Sequence, residues 1–159
     1  MFKSMTPDLR HDLRQRKPFT SLQQEAWLNL ARTEAVLHAG FEQVLKPHGI
    51  GATQYNVLRI LRGAAAPGLC RNEIRDRLLT RMPDVTRLLD RMEDAGLVIR
   101  VRSTEDRRLV ATRLTTRGKD LVDRLDEPVA TEHKRRLGHL TPAQLRTLIE
   151  LLTLARRPS

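Results

Sequence analysis

The segment Arg71–Leu114 constrains the fold of this chain more than any other. Two short helical patterns come first, separated by a tight turn, and Gly96 marks the end of the second helix. An apolar and basic strand follows, then a charged turn over Thr104–Arg108 and a returning strand. A helix-turn-helix followed by a basic hairpin is a winged helix, which places one helix in a major groove of DNA and the hairpin beside it. We therefore predict a mainly α fold with a small β-hairpin wing.

The charge balance indicates a polyanionic partner. The 159 residues include 29 Lys and Arg against 19 Asp and Glu, a net charge of +10. Aromatic residues make up only 3%, so an aromatic platform for single-stranded nucleic acid is not expected. The single cysteine, Cys70, excludes a disulfide within the chain. No apolar run approaches the roughly 18 residues of a membrane span, and the charged N-terminal segment lacks the apolar part of a signal peptide, so we expect a cytoplasmic protein.

Helix start and stop signals divide the rest of the chain. We predict a basic N-terminal arm (1–19), an N-terminal dimerisation helix (20–49), the winged helix-turn-helix lobe (50–118) and C-terminal helices that complete the dimerisation region (119–159). The arm is predicted to be partly helical over Leu9–Arg16. The predicted caps are Thr20 or Ser21, then Thr53, Thr115 or Thr116, and Thr141, which has Pro142 and Gln144 behind it. Pro128 is predicted to kink its helix without ending it.

The second helix of the helix-turn-helix is predicted to enter the groove. It is expected to begin near Met82 and Pro83, and its residues Val85, Leu88, Leu89 and Met92 have the spacing of a buried face. The predicted DNA contacts on this helix are Arg81, Pro83, Asp84, Thr86, Arg87 and Arg91. Thr86 and Arg87 are the best base readers, because arginine forks onto guanine and threonine meets a thymine methyl. Asp84 either accepts from cytosine or orients Arg81 or Arg87. Taken by itself, this surface is explained equally well as a charged face exposed to solvent. The basic wing that follows makes DNA binding the favoured interpretation.

The wing concentrates arginines, and its predicted DNA contacts are Arg100, Arg102, Asp106, Arg107 and Arg108. Arg108 is expected to enter a narrow minor groove, whose negative potential attracts arginine, and Asp106 to brace it. The alternative is an ordinary exposed hairpin. Its first strand alternates Ile99 and Val101 with arginines, which predicts that these two apolar side chains face the core. The predicted phosphate contacts open the preceding helix and are Arg71, Asn72 and Arg75.

Four motifs, in this order and spacing, resemble the MarR family of bacterial transcription regulators. They are T-Q-Y-N-V-L-R-I-L (Thr53–Leu61), V-T-R-L-L-D-R-M-E-D-A-G-L-V (Val85–Val98), E-D-R-R (Glu105–Arg108) and L-T-T-R-G (Leu114–Gly118). The resemblance implies a homodimer with interlocked first and last helices, two winged lobes on a palindromic site, and a D-x-R wing motif at Asp106 and Arg108. It also implies that a small ligand, often phenolic, or cysteine oxidation controls DNA release.

The sequence departs from the family pattern at several points. Arg81 stands where a small N-cap such as serine is usual, and the basic arm is longer than is typical. The cysteine-sensing branch of the family carries its reactive cysteine in the first helix, where this chain has none. Cys70 instead precedes a helix beside Arg71, a setting that lowers the pKa of a thiol, so a redox sensor is one alternative and a small buried apolar residue is the other.

The Leu-rich terminal helices need a surface to pack against. The predicted dimer-interface residues are Leu22, Trp27, Leu30, Leu140, Leu145, Leu148, Ile149 and Leu152, with packing inside one chain as the alternative. A ligand pocket between these helices and the lobe would be lined by Trp27, His38, Phe41, His48 and Tyr55, each of which is otherwise an ordinary core or surface residue. No histidine pair has metal-ligand spacing, so neither a metal nor another cofactor is expected.

These features make a sequence-specific regulator of double-stranded DNA the leading hypothesis. It would act as a homodimer on a palindromic operator, most simply as a repressor. The alternatives are a non-specific DNA- or RNA-binding basic protein, a redox-sensing regulator that uses Cys70, and a protein-interaction adaptor. An enzyme is not expected, because the sequence has no nucleophile and base pair, paired carboxylates, phosphate loop or metal cluster.

Overall fold

Helices form most of the described chain, and a two-stranded hairpin completes it. The structure, a computed structural model, describes residues 9–102 and 110–157. The helices are α1 Leu9–Asp12, α2 Leu22–Leu45, α3 Ala52–Arg62, α4 Arg71–Arg77, α5 Val85–Asp94, α6 Thr116–Leu137 and α7 Pro142–Ala155, with a 3-10 turn at Lys46–His48. Strands β1 (Val98–Arg102) and β2 (Val110–Leu114) pair antiparallel, with Arg100 opposite Thr112. The predicted mainly helical fold with a hairpin wing is confirmed. None of the described helices is long and apolar enough to cross a membrane.

The chain forms two compact units, residues 1–40 and 41–159. In the first unit, α2 begins where the cap signals predict. Ser21 Oγ accepts a hydrogen bond from Gln24 N at 3.1 Å, and the Gln24 side chain accepts one from Thr20 N at 2.7 Å. The helix in the arm is shorter than predicted, because it ends at Asp12 and Arg14 has a left-handed φ of 51°.

The core of the second unit brings α3, α5 and α6 together. Its buried side chains include Val57 and Leu58 of α3, Val85, Leu88, Leu89 and Met92 of α5, and Leu121, Val122 and Leu125 of α6. The four α5 residues are at most 4% exposed, which confirms the inward face that their spacing predicts.

Two predicted helix starts are wrong, and in both cases a side chain caps the helix at another residue. Helix α3 begins at Ala52 and not after a Thr53 cap, because Gln54 accepts a hydrogen bond from Gly51 N at 3.0 Å and Glu42 accepts one from Ala52 N at 2.7 Å. The helix that was predicted to enter the groove, α5, begins at Val85 and not near Met82 and Pro83. Asp84 Oδ1 accepts from Arg87 N at 2.9 Å, so Asp84 is the N-cap.

The later helix signals are confirmed. Thr115 caps α6 by accepting from Gly118 N, and Thr141 caps α7 in a capping box with Gln144. Pro128 lies inside α6, which continues to Leu137 as predicted.

Strand β1 turns Ile99 and Val101 outward, which contradicts the predicted orientation of these two side chains. Ile99 and Val101 are 41% and 37% exposed, whereas Val98 and Thr112 are almost fully buried. Arg100 shares the inner face with Thr112 because the two are paired in the register. A further bridge joins Leu69 to Thr112 next to Gly68, where a Cβ would collide with the Thr112 carbonyl.

We predict that Gly118→Ala destabilises the lobe. A Cβ at this position would overlap the Leu97 carbonyl oxygen, so the start of α6 would have to move away from the wing. The expected loss is about 1–3 kcal/mol in the free energy of unfolding, measured by chemical denaturation. Gly63→Ala is the control, because an added Cβ there meets only ordinary contacts at 3.8 Å. A Gly118→Ala variant as stable as the Gly63→Ala variant would contradict the prediction.

Candidate nucleic-acid interface

The outward face of α5 carries exposed polar and basic side chains. Thr86, Arg87 and Arg91 are exposed, opposite the buried apolar face of the same helix. The Arg87 side chain is 82% exposed, so its guanidinium is accessible to a binding partner. This surface has the size and chemistry of a helix that enters a major groove.

Asp84 organises the first turn of α5. Besides capping the helix at Arg87 N, its second carboxylate oxygen lies 3.9 Å from Arg87 Nε. The sequence suggested that Asp84 either accepts from cytosine or orients an arginine. In the structure Asp84 contacts Arg87, which supports the second role. Arg81 and Pro83 lie before the helix and are exposed in the connection from α4. Arg81 consequently does not occupy the N-cap position expected from the family pattern.

The start of α4 lies against the outward face of α5. Arg71 Nη1 donates to Thr86 Oγ1 at 3.2 Å, so a predicted phosphate contact and a predicted base reader are neighbours. Asn72 is exposed beside them, and Arg75 Nε donates to Asp76 at 3.0 Å. Arg71 therefore adds an exposed cation beside the outward face of α5, whereas the charge of Arg75 is paired with that of Asp76.

One residue that positions this surface was missed by the sequence analysis. Asn56 Oδ1, on α3, accepts a hydrogen bond from Leu79 N at 2.9 Å and so fixes the connection between α4 and α5. Its only sequence signal is a polar residue within the apolar pattern of α3.

The wing residues are not all in the same setting. Arg102 is exposed at the end of β1, whereas Asp106, Arg107 and Arg108 lie outside the described residues. Arg100 differs from the exposed setting expected of a phosphate contact, because its side chain is only 32% exposed and lies against carboxylates of α5. Hydrogen bonds from Arg100 lower the pKa of Glu93, and the same bonds raise the pKa of Arg100.

A second ion-pair cluster, also missed from the sequence, joins α3 to α6. Arg62 donates to both carboxylate oxygens of Asp126 at 2.8 Å and to Asp123 at 2.9 Å, and Lys119 donates to Asp123 at 2.7 Å. These bonds lower the pKa of Asp123 and Asp126 and raise the pKa of Arg62. The cluster fixes the end of α3 against α6 through charge-assisted hydrogen bonds.

Comparisons with known proteins identify the family of this chain. The family model that matches the chain is described as the MarR family and covers residues 48–109. An HTH-type transcriptional repressor of Mycobacterium tuberculosis is 31% identical over 77% of this chain and 87% of its own length. The chain belongs to the MarR family. It is a winged helix-turn-helix DNA-binding transcription regulator.

Solved MarR-family structures are similar across most of the chain. The crystal structure of a MarR transcription factor from Planctomyces limnophilus is 44% identical, covers 86% of this chain and 99% of its own, and has a TM-score of 0.66. The transcriptional repressor CouR bound to a 23-mer DNA duplex is 29% identical, covers 89% and 99% of the two chains, and has a TM-score of 0.75.

The terminal helices of this MarR-family chain present apolar side chains to solvent. Leu22 and Trp27 of α2 are 80% and 74% exposed. No residue of α7 is buried, and Ile149 and Leu154 are 62% and 68% exposed. None of the other predicted interface residues is buried within the chain either: Leu30, Leu140, Leu145, Leu148 and Leu152. Leu151 and Leu154 have the same exposed character and were missed by the sequence analysis.

The structure brings together two of the residues predicted to line a ligand pocket. Phe41 and Tyr55 make an edge-to-face contact with ring centroids 5.4 Å apart, and His133, which was not predicted, stacks on Phe41 at 6.2 Å. His48 is exposed on the 3-10 turn. In the other unit, Trp27 is exposed and His38 Nδ1 lies 3.9 Å from Glu34.

Cys70 is half-buried at the N-cap of α4, the position expected from the sequence. Its backbone N–H donates to Glu73 at 2.8 Å, which anchors the first turn of the helix. Among residues 9–102 and 110–157, no group of three His, Cys, Asp or Glu side chains is arranged to hold a metal ion.

We predict that Arg87→Ala weakens binding to the preferred DNA site by about 1–3 kcal/mol and relaxes the preference at one base pair, because a bidentate arginine discriminates among bases. Fluorescence anisotropy with the site and its single-base variants measures both effects. Arg102→Ala is the matched control. It is expected to weaken binding to all sequences alike and to lower the salt slope by about 1. Equal loss on every sequence for Arg87→Ala would contradict a base-reading role.

Proposed function

We propose that this regulator is a homodimeric repressor that binds a palindromic operator and blocks transcription. The observation that carries the proposal is the outward face of α5, where Thr86 and Arg87 are exposed on a helix whose opposite side is buried. In this proposal Arg87 forks onto guanine and Thr86 contacts a thymine methyl. Two relatives named as repressors, one of them bound to a DNA duplex, support the assignment.

The wing and α4 supply the remaining contacts in this proposal. Arg108 enters the minor groove with Asp106 as its brace, and Arg107 and Arg102 lie along the adjacent backbone. Further phosphate contacts come from Arg71, Asn72 and Arg75, and Arg81 and Arg91 extend the groove-facing surface. The net charge of +10 favours a strongly salt-dependent affinity, and a chromosomal target places the protein in the cytoplasm.

Dimerisation is supported by the exposed apolar surface of the terminal helices. The 14-residue helix α7 buries none of its leucines within the chain. Exposed apolar faces of this kind mark protein interfaces, because the hydrophobic effect favours covering them. A two-fold dimer also gives the two copies of α5 the spacing of one DNA turn, about 34 Å, which a palindrome requires.

The proposal predicts the outcome of selection from a random duplex DNA library. An enriched palindrome with half-sites about one helical turn apart is expected, and its affinity should fall steeply as salt rises. Binding without an enriched motif, or equal competition by duplex RNA, would contradict the proposal and favour a non-specific nucleic-acid-binding protein.

The double variant Ile149→Glu, Leu154→Glu separates dimerisation from groove binding. Two charges in the interface should leave a monomer, seen by sedimentation, which binds a single half-site but not the full palindrome cooperatively. Glu150→Lys, an exposed charge change on the same helix, is the control and should stay dimeric. A double variant that remains dimeric would place the interface elsewhere.

We also propose that a small aromatic acid, such as a phenolic acid, releases the protein from DNA. The contact of Phe41 with Tyr55 and His133 supports this proposal, and His133 is the exposed member of the cluster. The test uses salicylate and 4-hydroxybenzoate in thermal-shift and operator-binding measurements. Each should raise the melting temperature and weaken operator binding, whereas cyclohexanecarboxylate, which has the charge without the aromatic ring, should do neither. No difference between the aromatic and the saturated acids would contradict the ligand class.

A further inference from the structure

Arg100 joins the wing to the groove-facing helix through two carboxylates. From β1, its guanidinium donates to Asp90 Oδ1 at 2.7 Å and lies 2.6 Å from Glu93 Oε2, and Nε donates to the same Glu93 oxygen at 2.7 Å. The backbone N–H of Arg100 donates to the other Glu93 oxygen at 2.9 Å. One carboxylate of α5 therefore holds both the main chain and the side chain of a wing residue.

These contacts hold both the main chain and the guanidinium of Arg100 in place relative to α5. A carboxylate bound by a backbone N–H and a guanidinium cannot turn without breaking one of the bonds, and charge-assisted bonds of this length are the strong ones. The half-buried setting of Arg100 and Glu93, 32% and 33% exposed, reduces screening by solvent. Glu93 thus sets where β1 leaves the end of α5, and β1 with β2 carries the segment 103–109 between them.

We propose that Arg100 is not a DNA contact but a positioning residue, which through Glu93 holds the wing at the angle that lets the wing and α5 bind their two grooves together. The inference rests on the proposed function, because it concerns the same DNA complex. Arg100 is a poor phosphate ligand in this setting, since a phosphate would have to displace two carboxylates that already surround the guanidinium.

Two opposite expectations for Glu93→Gln follow. If Arg100 contacts phosphate, removing a negative charge beside the DNA and releasing the arginine should strengthen binding. If Arg100 positions the wing, loss of the carboxylate should weaken binding to the selected operator, on the order of tenfold. Asp94→Asn is the matched control, because Asp94 is an exposed carboxylate on the next residue of the same helix and its removal changes the charge by the same amount. It should bind as tightly as the parent protein or more tightly.

A double-mutant cycle with Arg100→Gln tests whether the two residues act as one unit. The loss of affinity in the double variant Glu93→Gln, Arg100→Gln should be clearly smaller than the sum of the two single losses, since either substitution already breaks the bonds between the two side chains. Additive losses would overturn the proposal, because they would mean that Arg100 contributes a separate contact with DNA.

The base preferences of the variants distinguish positioning from a general loss of structure. Selection with Glu93→Gln should retain the half-site bases read by α5 and lose the preference for A·T pairs at the flanking minor groove, where the wing binds. A general loosening of the fold would weaken both preferences together and lower the free energy of unfolding in proportion. If the parent protein selects no palindrome, the proposed function fails; if the parent selects one and Glu93→Gln binds it as tightly as Asp94→Asn does, this inference alone fails.

Discussion

The burial of one face of α5 is the constraint on which the DNA-binding surface depends. Val85, Leu88, Leu89 and Met92 lie on a single stripe of this helix and are buried in the same core as side chains of α3 and α6. Because a helix with one apolar stripe has one favourable rotation about its axis, burying that stripe also determines which residues face outward. Thr86 and Arg87 are exposed for this reason, and no contact of their own is required to keep them exposed. The core therefore positions the residues that are proposed to read bases, and Asp84 determines where the helix begins by capping it.

The charged residues divide into those that build the lobe and those left on its surface. Arg62 and Arg100 each lie between two carboxylates, on α6 and α5 respectively, and are less than a third exposed. Paired in this way, they join neighbouring elements and contribute little to attracting a polyanion. The exposed cations Arg87 and Arg102 have the opposite character. Because carboxylates match their charge, Arg62 and Arg100 add nothing to the net charge of +10, and the salt dependence of DNA binding reports the exposed cations.

The sequence predicts well wherever one residue pattern has one physical solution. The stripe of α5 and the capping box at Thr141 are local, so their positions follow from spacing alone. The predicted start of α5 was wrong because Pro83 and Asp84 are both good start signals. The hydrogen bond that decides between them forms only in the folded turn. The predicted orientation of β1 was wrong for a different reason. Alternation defines two faces but not which one is buried, and the carboxylates that draw Arg100 inward lie on another element. The contact of Phe41 with His133 is likewise set by tertiary packing.

The C-terminal helices show how assembly and DNA binding are coupled in the proposed dimer. An isolated helix of 14 residues is marginal in water, and most helical stability in proteins comes from packing an apolar face, yet α7 buries no residue within its own chain. Its stability is therefore expected to depend on a partner. The 22-residue helix α6 begins directly after β2, with Gly118 against the Leu97 carbonyl, and ends just before α7. It spans about 33 Å at the usual helical rise. Since α6 is attached to the wing at one end and leads to the exposed α7 at the other, the way that α7 is covered determines the spacing of the two lobes. In the proposed dimer, recognition of a palindrome thus depends on the dimer surface as much as on the residues proposed to touch the bases.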